Sequence, residues 1–432
     1  MRNKHFLFPA GLFLSSFLLF MLSSSALAGT SFFNGLDTDF SGFIETRHGI
    51  QIQSPNNTQA SETWMRLEGS GYTNHASFFT ALNISENHLL SHKSGLLLHE
   101  AYVDTAIGNL ELRVGRQIII WGNSDATQIT DRISPMDQSE YITRNFDETR
   151  MAVDALNLKY GTDCGDTQFI WIPRYRQAIR PTQESPWYLG DITRNYPRLP
   201  QPDSEPESQT GTTFFDRGLA DSELALKQSF FFTGWDMALS HFYTWQDNPV
   251  YVFEKISGVT HVRPRVTRQN ITGLEFSKPF GKQVFRTEAA FFWKDAVQTR
   301  ANVTGLLKRD RLKWLMGLDW YPGDLWTVAL EYSESHILSP VSGMVEPSVR
   351  RQIYLRGSKK LFREKLTLNA AVYFDPYVRD SLVRISGEYC PMDDLVLSLG
   401  SDIFTQGVED RSGNFAPYDN RDQIWARLKY YF

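Results

Sequence analysis

The sequence predicts an all-β chain that closes into a transmembrane antiparallel β-barrel of about 18 strands, with 16 strands as the alternative. Three observations support this prediction: a C-terminal strand with one apolar face, an N-terminal secretory segment, and a hairpin pattern repeated between them. The pattern places short turns at one end of the barrel and long loops at the other.

The last ten residues, 423–432, alternate between an apolar and a mostly polar face. The apolar positions are Ile424, Ala426, Leu428, Tyr430 and Phe432, and the opposite positions are Gln423, Trp425, Arg427, Lys429 and Tyr431. Alternate side chains of a strand point to opposite faces, so this segment has one oily face and one wet face, with Trp425 as the exception. A terminal Phe432 is typical of the closing strand of bacterial outer-membrane barrels. It predicts the barrel-assembly machinery as a partner.

The first 28 residues are typical of a secretory signal peptide. Arg2 and Lys4 precede an apolar run, and Ala26-Leu27-Ala28 forms a small-x-small cleavage site before Gly29. An uncleaved anchor is the alternative. After residue 28 no apolar run approaches the ~20 residues that a membrane helix needs. We therefore expect residues 29–432 to form one barrel domain.

Eight short turns divide the chain into pairs of alternating segments, which with the first and last segments give 18 strands. The turns centre on Tyr72–His75, Ile107–Asn109, Gly161–Gly165, Phe232–Gly234, Pro279–Lys282, Pro322–Asp324, Leu361–Glu364 and Pro391–Asp394. Gly, Pro, Asn and Asp are common there, as hairpin turns require. Aromatic residues crowd the same places: Tyr72, Tyr160, Phe232, Trp235, Phe280, Trp320, Tyr321, Trp326, Phe362 and Tyr389. They predict an interfacial girdle in contact with outer-membrane lipids.

Two connections at the opposite end are long, about 121–150 and about 175–221. Structureless loops of this length in a compact domain are usually functional. A barrel of 18 strands would otherwise enclose a wide aqueous lumen. We expect these loops to narrow it.

Charged residues of both signs fall on the positions that face inward. We take as candidates for lining the pore or its constriction Arg47, Arg66, Arg113, Arg116, Asp131, Arg132, Asp137, Arg174, Arg176, Arg286 and Arg427. Guanidinium groups bind carboxylates and phosphates in a bidentate manner, so a small acidic solute would suit them. The alternative is that these charges only pair across strands and keep the lumen hydrated.

Composition excludes several other functions. The formal net charge of −5 becomes −7 when Arg2 and Lys4 leave with the signal peptide, which argues against nucleic acid as a partner. Cys164 and Cys390 fit no metal site, and we expect two free thiols rather than one bridge. No metal, cofactor or catalytic motif was found, so we predict a protein that is not an enzyme and has no cofactor.

The segment Leu112-Arg113-Val114-Gly115-Arg116-Gln117, leading to Trp121-Gly122 and then to Asp131 and Asp137, resembles a largely uncharacterised family of Gram-negative outer-membrane proteins. The family's Asn-Pro-x-Asp-like motif has Ser134 in place of Asn. More remotely, the chain resembles the alginate-export porins, which have 18 strands. These resemblances imply a porin-like channel in which the third loop folds into or over the pore.

Parity places Arg113, Gly115 and Gln117 inward and Arg116 toward lipid. An Arg at mid-membrane depth on that face would cost about 2–4 kcal/mol. We therefore predict either a β-bulge at Gly115 or a position of Arg116 outside the hydrocarbon band.

The predicted function is an outer-membrane channel for passive diffusion or export of a small polar, possibly acidic, solute in a Gram-negative bacterium. The alternatives are a secreted all-β binding or adhesion protein and, with less support, an outer-membrane hydrolase. The sequence gives neither the solute nor the direction of its movement.

Overall fold

The computed structural model describes residues 37–141, 143–189, 218–257, 259–300, 303, 305–408 and 413–432. The predicted signal peptide lies outside these residues. Eighteen strands form one sheet, and two more form a separate hairpin. The strands are β1 (Asp37–Gln51), β2 (Thr58–Tyr72), β3 (Ala76–Asn87), β4 (Gly95–Ile107), β5 (Leu110–Gln117), β6 (Val153–Thr162), β7 (Gly165–Ile172), β8 (Glu223–Phe232), β9 (Trp235–Trp245), β10 (Val250–Ile256), β11 (Val259–Arg265), β12 (Arg268–Phe280), β13 (Gln283–Val297), β14 (Leu307–Gly323), β15 (Trp326–Ile337), β16 (Val349–Leu361), β17 (Leu366–Phe374), β18 (Ser381–Met392), β19 (Leu395–Thr405) and β20 (Gln423–Tyr431).

The sheet is a closed antiparallel barrel. Each strand pairs with its neighbours in chain order, and β9 pairs with β12 across the inserted hairpin. The final strand β20 pairs with β1, from Phe43 opposite Tyr431 to Gln51 opposite Gln423. Closure satisfies the backbone groups that an open sheet edge would leave unpaired. The prediction of 18 strands in a closed antiparallel barrel is confirmed.

All eight predicted short turns join neighbouring strands at one end of the barrel, the end at which the chain also enters β1 and leaves β20. The outer surface there is aromatic. Nine of the ten aromatic residues predicted for the girdle are exposed: Tyr72, Tyr160, Phe232, Phe280, Trp320, Tyr321, Trp326, Phe362 and Tyr389. Trp235 is half-buried because its ring stacks on Phe232 with 4.1 Å between the centroids.

The alternation of the strands separates a lumen face from an outer face. In the β16–β17 ladder, Tyr354 and Tyr373 are 5% and 6% exposed, whereas their neighbour Leu355 is 46% exposed. The buried core of the protein therefore lies inside the barrel, where loops fill part of the lumen.

The end opposite the short turns carries the long connections. The one between β9 and β12 contains the hairpin β10–β11, which the sequence reading did not predict. Phe253 and Val262 of this hairpin pack together with Tyr251 and Val345, so the hairpin lies against the β15–β16 connection. Among the described residues, no helix is long and apolar enough to cross a bilayer.

Candidate functional site

Residues 118–152, between β5 and β6, fold into the lumen. We call them the inner loop. Its contacts reach wall strands on every side of the barrel, from β1 and β2 to β7, β13, β16 and β20. The expectation that the third loop enters the pore is thus confirmed. The loop has two regions of very different chemistry, one within residues 119–133 and one formed by Glu140, Arg144 and Glu148.

The first region is an apolar seat. Ile119, Trp121, Ile129 and Ile133 of the inner loop are each at most 5% exposed and pack on inward-facing residues of β6 to β14. Trp121 lies 5.0 Å from Phe242, measured between ring centroids, and its indole N–H donates to Gln168 at 2.9 Å. Close packing of this kind excludes water and holds half of the loop against one side of the wall.

Two wall carboxylates hold the backbone of the inner loop beside the apolar seat. Glu288 on β13 accepts hydrogen bonds from the backbone N–H groups of Asn123 and Thr130 and from the Thr130 hydroxyl. Glu331 on β15 accepts from the Asp125 N–H at 2.8 Å. Hydrogen bonds to a charged acceptor are stronger than neutral ones, so these two side chains fix the loop mainly through its backbone, with the hydroxyl groups of Thr130 and Ser124 as additional donors.

Gly122 allows this close approach. Its backbone has φ +88°, and a Cβ placed there would lie 2.9 Å from Glu288 and 2.6 Å from the Thr130 hydroxyl oxygen. Only glycine combines that conformation with that contact at little cost. The Trp-Gly pair of the sequence motif therefore has a physical reason in the attachment of the loop.

The second region is an ionic seat, formed by Glu140, Arg144 and Glu148 of the inner loop. Glu140 pairs with Arg47 of β1 at 3.1 Å and with Lys93 at 3.0 Å, and Arg144 contacts both Glu140 and Glu62 of β2. On the other side, Arg384 of β18 donates to the Thr143 carbonyl at 2.8 Å, and Arg427 of β20 pairs with Glu148 at 3.1 Å.

The pKa values of two inner-loop carboxyls are shifted in opposite directions. Burial raises the pKa of Glu140, but the nearby cations Arg144, Lys93 and Arg47 outweigh burial and bring the pKa well below its ordinary value. Burial also raises the pKa of Asp131, and there it outweighs the opposing effect of Arg150, so the pKa stays raised. Glu140 is consequently held ionised by its partners.

Above the ionic seat, aromatic side chains from several connections pack together. Trp187, in the β7–β8 connection, is 1% exposed and packs with Phe404, Phe415 and Tyr418. Tyr141 of the inner loop stacks on Tyr418 with 4.3 Å between ring centroids. Described residues of the second long connection therefore also lie over the lumen, as the sequence predicted for that loop.

A cavity of about 440 Å³ lies between the inner loop and the wall of β16, β17, β18, β20 and β1. Its charged lining residues are Arg47, Arg144, Arg356, Arg384, Arg427, Asp125, Glu148, Glu388 and Asp402. Polar and aromatic groups complete it, among them Thr367, Asn369, Ser386, Tyr354 and Tyr373. Among the five arginines that line the cavity, Arg356 has the most exposed side chain, at 42%, and it lies 3.2 Å from Asp125 of the inner loop. The cavity is a hydrated, charged space with a small excess of cations.

Three of the predicted arginines on barrel strands meet the inner loop. Arg47 and Arg427 line the cavity. Arg286, on β13, pairs with Asp319 at 2.8 Å, Glu331 at 3.0 Å and Asp125 at 3.2 Å, and so links the wall to the loop.

Three of the predicted candidates, Asp131, Arg132 and Asp137, belong to the inner loop and hold it in place through ion pairs. Asp131 accepts from Arg150 at 2.7 Å within the loop, Arg132 pairs with Asp247 at 2.6 Å, and Asp137 pairs with Lys93 at 3.2 Å. They shape the loop, and none of them lines the cavity.

Arg66 and Arg113 face the lumen but lie away from the cavity. Arg66 donates to Asn83 at 2.8 Å and lies over the ring of Trp64. Arg113 makes a bidentate pair with Asp104, at 2.6 and 2.9 Å, and lies 4.0 Å from the Tyr102 ring centroid. These contacts match the alternative in which lumen charges pair across strands.

Of the two alternatives predicted for Arg116, the first, a bulge at Gly115, is wrong. The β4–β5 and β5–β6 ladders, all of whose residues are described, run without a register shift. Gly115 instead has φ +133°, and a Cβ there would lie 2.3 Å from the Ala101 carbonyl oxygen. Arg116 stays on the outer face and pairs with Asp154 of β6 at 2.8 and 3.0 Å. The neighbouring strand supplies a counter-charge, so the backbone need not turn the side chain inward.

Arg174 and Arg176 follow the end of β7, and both are exposed. Arg176 donates to the Ala152 carbonyl at 2.5 Å. The four predicted arginines Arg113, Arg116, Arg174 and Arg176 are therefore divided between the lumen, the outer face and the long-loop end. Arg194 and Arg198 of the same loop lie outside the described residues.

The sequence reading missed Glu288, Glu331, Arg356 and Arg384 as residues that meet the inner loop. Their parity had placed all four inside the barrel, but parity does not say which wall residues a loop will reach. Cys164 and Cys390 are free thiols, as expected.

Comparison with known proteins agrees with the fold. A family model described as a protein of unknown function, DUF1302, matches residues 18–169. No curated protein sequence matches the chain. Among solved structures, the chain is similar to OccK3 (OpdO) of Pseudomonas aeruginosa, with a TM-score of 0.52, 12% identity, and coverage of 92% of this chain and 96% of that one. It is also similar to OccK11 (OpdR) of the same organism, with a TM-score of 0.50, 9% identity, and coverage of 93% and 99%.

These identities are too low to transfer a function, and the family model covers about a third of the chain. What they show is the fold. The chain is a closed antiparallel β-barrel of 18 strands, with a fold similar to that of the OccK3 and OccK11 barrels.

Proposed function

We propose that this protein is an outer-membrane channel for a small polar solute, and that the solute passes the inner loop on the side of the ionic seat. The observation that carries this proposal is the asymmetry of the lumen. Apolar packing occupies the side of β6 to β14, whereas the cavity and its charged lining lie beside β16 to β20 and β1. Water and ions move along hydrated, charged walls rather than through packed side chains.

The size and chemistry of the cavity limit the class of solute that would fit. A volume of about 440 Å³ suits a small organic molecule. Hydroxyl and amide groups of Thr367, Asn369 and Ser386 can hydrogen-bond a hydroxylated solute. Five arginines against four carboxylates give the lining a small positive excess, which favours a solute with one negative charge.

Conductance in planar bilayers is the direct test. We expect discrete current steps from the purified protein and a reversal potential that indicates weak anion preference. Liposome swelling with a neutral sugar and with the matching sugar acid should show faster entry of the acid. A preparation that gives no current above the lipid baseline, and no swelling with either solute, would contradict the channel.

Arg356 is the residue to change. We expect Arg356→Ala to lower the preference for the acid on the order of twofold, because exposed charges contribute modestly. Arg363→Ala is the matched control, since Arg363 is exposed at the short turn between β16 and β17. If both variants keep the wild-type preference for the acid, the result contradicts the proposed acidic solute but not the proposed channel.

Heat-modifiable mobility on a gel tests the closed barrel independently of transport. A closed barrel resists detergent until boiled, so the unboiled protein should migrate faster than the boiled one. Extraction from membranes by salt alone would support the secreted binding protein instead.

A further inference from the structure

Two lysines of the barrel wall reach aromatic rings of the apolar seat, and they differ in their partners. The Lys227 ammonium lies 5.5 Å from the ring centroid of Trp121 and pairs with Glu275 at 2.7 Å. The Lys313 ammonium lies 5.0 Å from the ring centroid of Phe292. Within the described part of the chain, no carboxylate, carbonyl or hydroxyl group pairs with Lys313. Of these two lysines, the described chain therefore supplies a counter-charge to Lys227 alone.

The surroundings of Lys313 explain why it lacks an acceptor in the described chain. Its neighbours Ala290, Phe292 and Leu315 belong to the apolar seat, and each is at most 2% exposed. An ammonium group beside such side chains loses part of its hydration and gains only the attraction of the ring. Lys313 itself is half-buried on the lumen side of β14, so a dissolved ion can still reach it. A lysine in these surroundings favours an anion as its partner.

Arg132 of the inner loop approaches the same ring. Its guanidinium carbon lies 5.8 Å from the ring centroid of Phe292. The side chain is 10% exposed, and one of its amino groups pairs with Asp247 at 2.6 Å. Its Nε atom is buried and has no hydrogen-bond acceptor among the residues that the structure describes. A cation of the loop and a cation of the wall, Lys313, thus converge on one ring.

Ser335 of β15 is a third donor at this place. It lies directly opposite Lys313 in the β14–β15 ladder, where facing side chains have their Cβ atoms about 5 Å apart. The Ser335 hydroxyl oxygen is buried, and no described residue hydrogen-bonds with it. Buried polar groups almost always have a partner in folded proteins. Three such donors side by side indicate a group that accepts from all of them.

The ion pairs around these donors leave one positive charge in excess. Arg311 pairs with both Asp295, at 2.9 Å, and Glu346, at 3.0 Å, so neither carboxylate is left for Lys313. Four cations meet three carboxylates here: Arg132, Arg311, Lys313 and Arg350 against Asp247, Asp295 and Glu346. An excess of one charge suits one monovalent anion, whereas a divalent anion would leave an excess of the opposite sign.

We propose that Lys313, Arg132 and Ser335 bind a small monovalent inorganic anion of the halide class, and we call these three residues the halide site. A spherical ion accepts from N–H and O–H groups in any direction, so it fits donors that come from two strands and a loop. Bound there, it bridges the inner loop to the wall, because Arg132 belongs to the loop and Lys313 to the barrel. None of the three residues lines the cavity. The ion is therefore part of the structure and is not the solute.

Anomalous X-ray scattering from crystals grown in sodium bromide is the direct test. We expect a bromide peak in contact with the Lys313 ammonium in the wild type and in Lys313→Arg, which keeps the charge. Lys313→Met should remove the peak. Lys227→Met/Glu275→Gln is the matched control, because it removes a balanced pair from the same seat and should keep the peak. A wild type without bromide at Lys313, or a peak that persists in Lys313→Met, would overturn the proposal.

Urea unfolding in lipid vesicles provides a second measurement that does not need crystals. Sodium chloride replaces sodium gluconate at constant ionic strength. The unfolding midpoint of the wild type should rise with the chloride concentration, because an ion that binds only the folded state stabilises it by mass action. The midpoint of Lys313→Met should stay constant, and that of Lys227→Met/Glu275→Gln should rise as in the wild type. An equal rise in Lys313→Met would contradict the halide site.

Current measurements keep this inference separate from the proposed function. The halide site lies outside the cavity, so Lys313→Met should keep the unit conductance of the wild type. A protein that binds bromide at Lys313 but gives no current would support the halide site and contradict the channel. A conducting protein without bromide at Lys313 would overturn the halide site alone. A halved conductance of Lys313→Met would place Lys313 on the solute path and overturn the structural role of the ion.

Discussion

The apolar seat and the ionic seat hold the same loop in different ways. At the apolar seat, Trp121 and Ile129 are buried against a wall of side chains that exclude water. At the ionic seat, Glu140 and Arg144 are held by charges next to a hydrated cavity. Packing depends on the shapes of the side chains, whereas the buried Glu140 carboxylate depends on its cationic partners, and removing one partner of a buried ion pair leaves an uncompensated charge. We infer that the first seat fixes the loop by packing and that the second holds it by charge beside the path of the solute.

The largest expected effect comes from the apolar seat. Trp121→Ala removes the contact with Phe242 and the hydrogen bond to Gln168, and should lower the free energy of unfolding by about 3–5 kcal/mol. Urea unfolding in lipid vesicles measures it. A loss below about 1 kcal/mol would mean that the loop is not fixed there, and the comparison between the seats would fail.

Glu140→Gln tests the ionic seat. The amide cannot balance Arg47, Lys93 and Arg144, so we expect a smaller loss of stability, about 2 kcal/mol, with a clear increase in current fluctuations. Glu364→Gln is the control, since Glu364 pairs with Lys360 on an exposed turn. Currents as quiet as those of the wild type would show that this seat is as rigid as the other.

Acidification should neutralise Glu140 and so have the same effect on the currents as Glu140→Gln. The depressed pKa of Glu140 means that its ionised contacts stabilise the protein at any pH above its ordinary value of 4.5. They are lost only as the pH falls below 4.5 toward the pKa of the folded state. Wild-type currents should therefore match at pH 7 and pH 5 and approach those of Glu140→Gln only well below pH 4.5. If the wild-type currents already match those of Glu140→Gln at pH 6, a group other than Glu140 controls them.

Glu288→Gln should have the smallest effect on stability. Glu288 uses one carboxylate oxygen for Asn123 and the other for Thr130, so the single amide oxygen of glutamine can keep only one of these acceptor positions, and we expect a loss of about 1 kcal/mol. Unit conductance should stay unchanged, because Glu288 does not line the cavity. A change in conductance larger than that of Glu140→Gln would move the solute path to the apolar side.

Alternation and turn chemistry were enough to predict the barrel. The period of two marks which side chains share a face, and the short turns mark where each strand ends. The same period placed Arg47, Arg286 and Arg427 in the lumen. These are local properties, which a single sequence contains.

The path of the inner loop through the lumen could not be predicted from the sequence in the same way. Whether Glu140 meets Arg47, 93 residues earlier, depends on how the loop crosses the lumen. The hairpin β10–β11 was missed because its strands are short and lie inside a connection. Arg116 was misjudged because its partner Asp154 is 38 residues away on the next strand.

The hydrogen bonds from the inner-loop backbone to Glu288 and Glu331 affect how the sequence of this protein can evolve. Both carboxylates bind backbone N–H groups of residues 123, 125 and 130, which every amino acid except proline possesses. Side chains facing the solute can therefore vary from one descendant to another while the attachment persists. Substitutions in the inner loop alone could therefore change which solute the channel prefers, while the barrel strands stay the same.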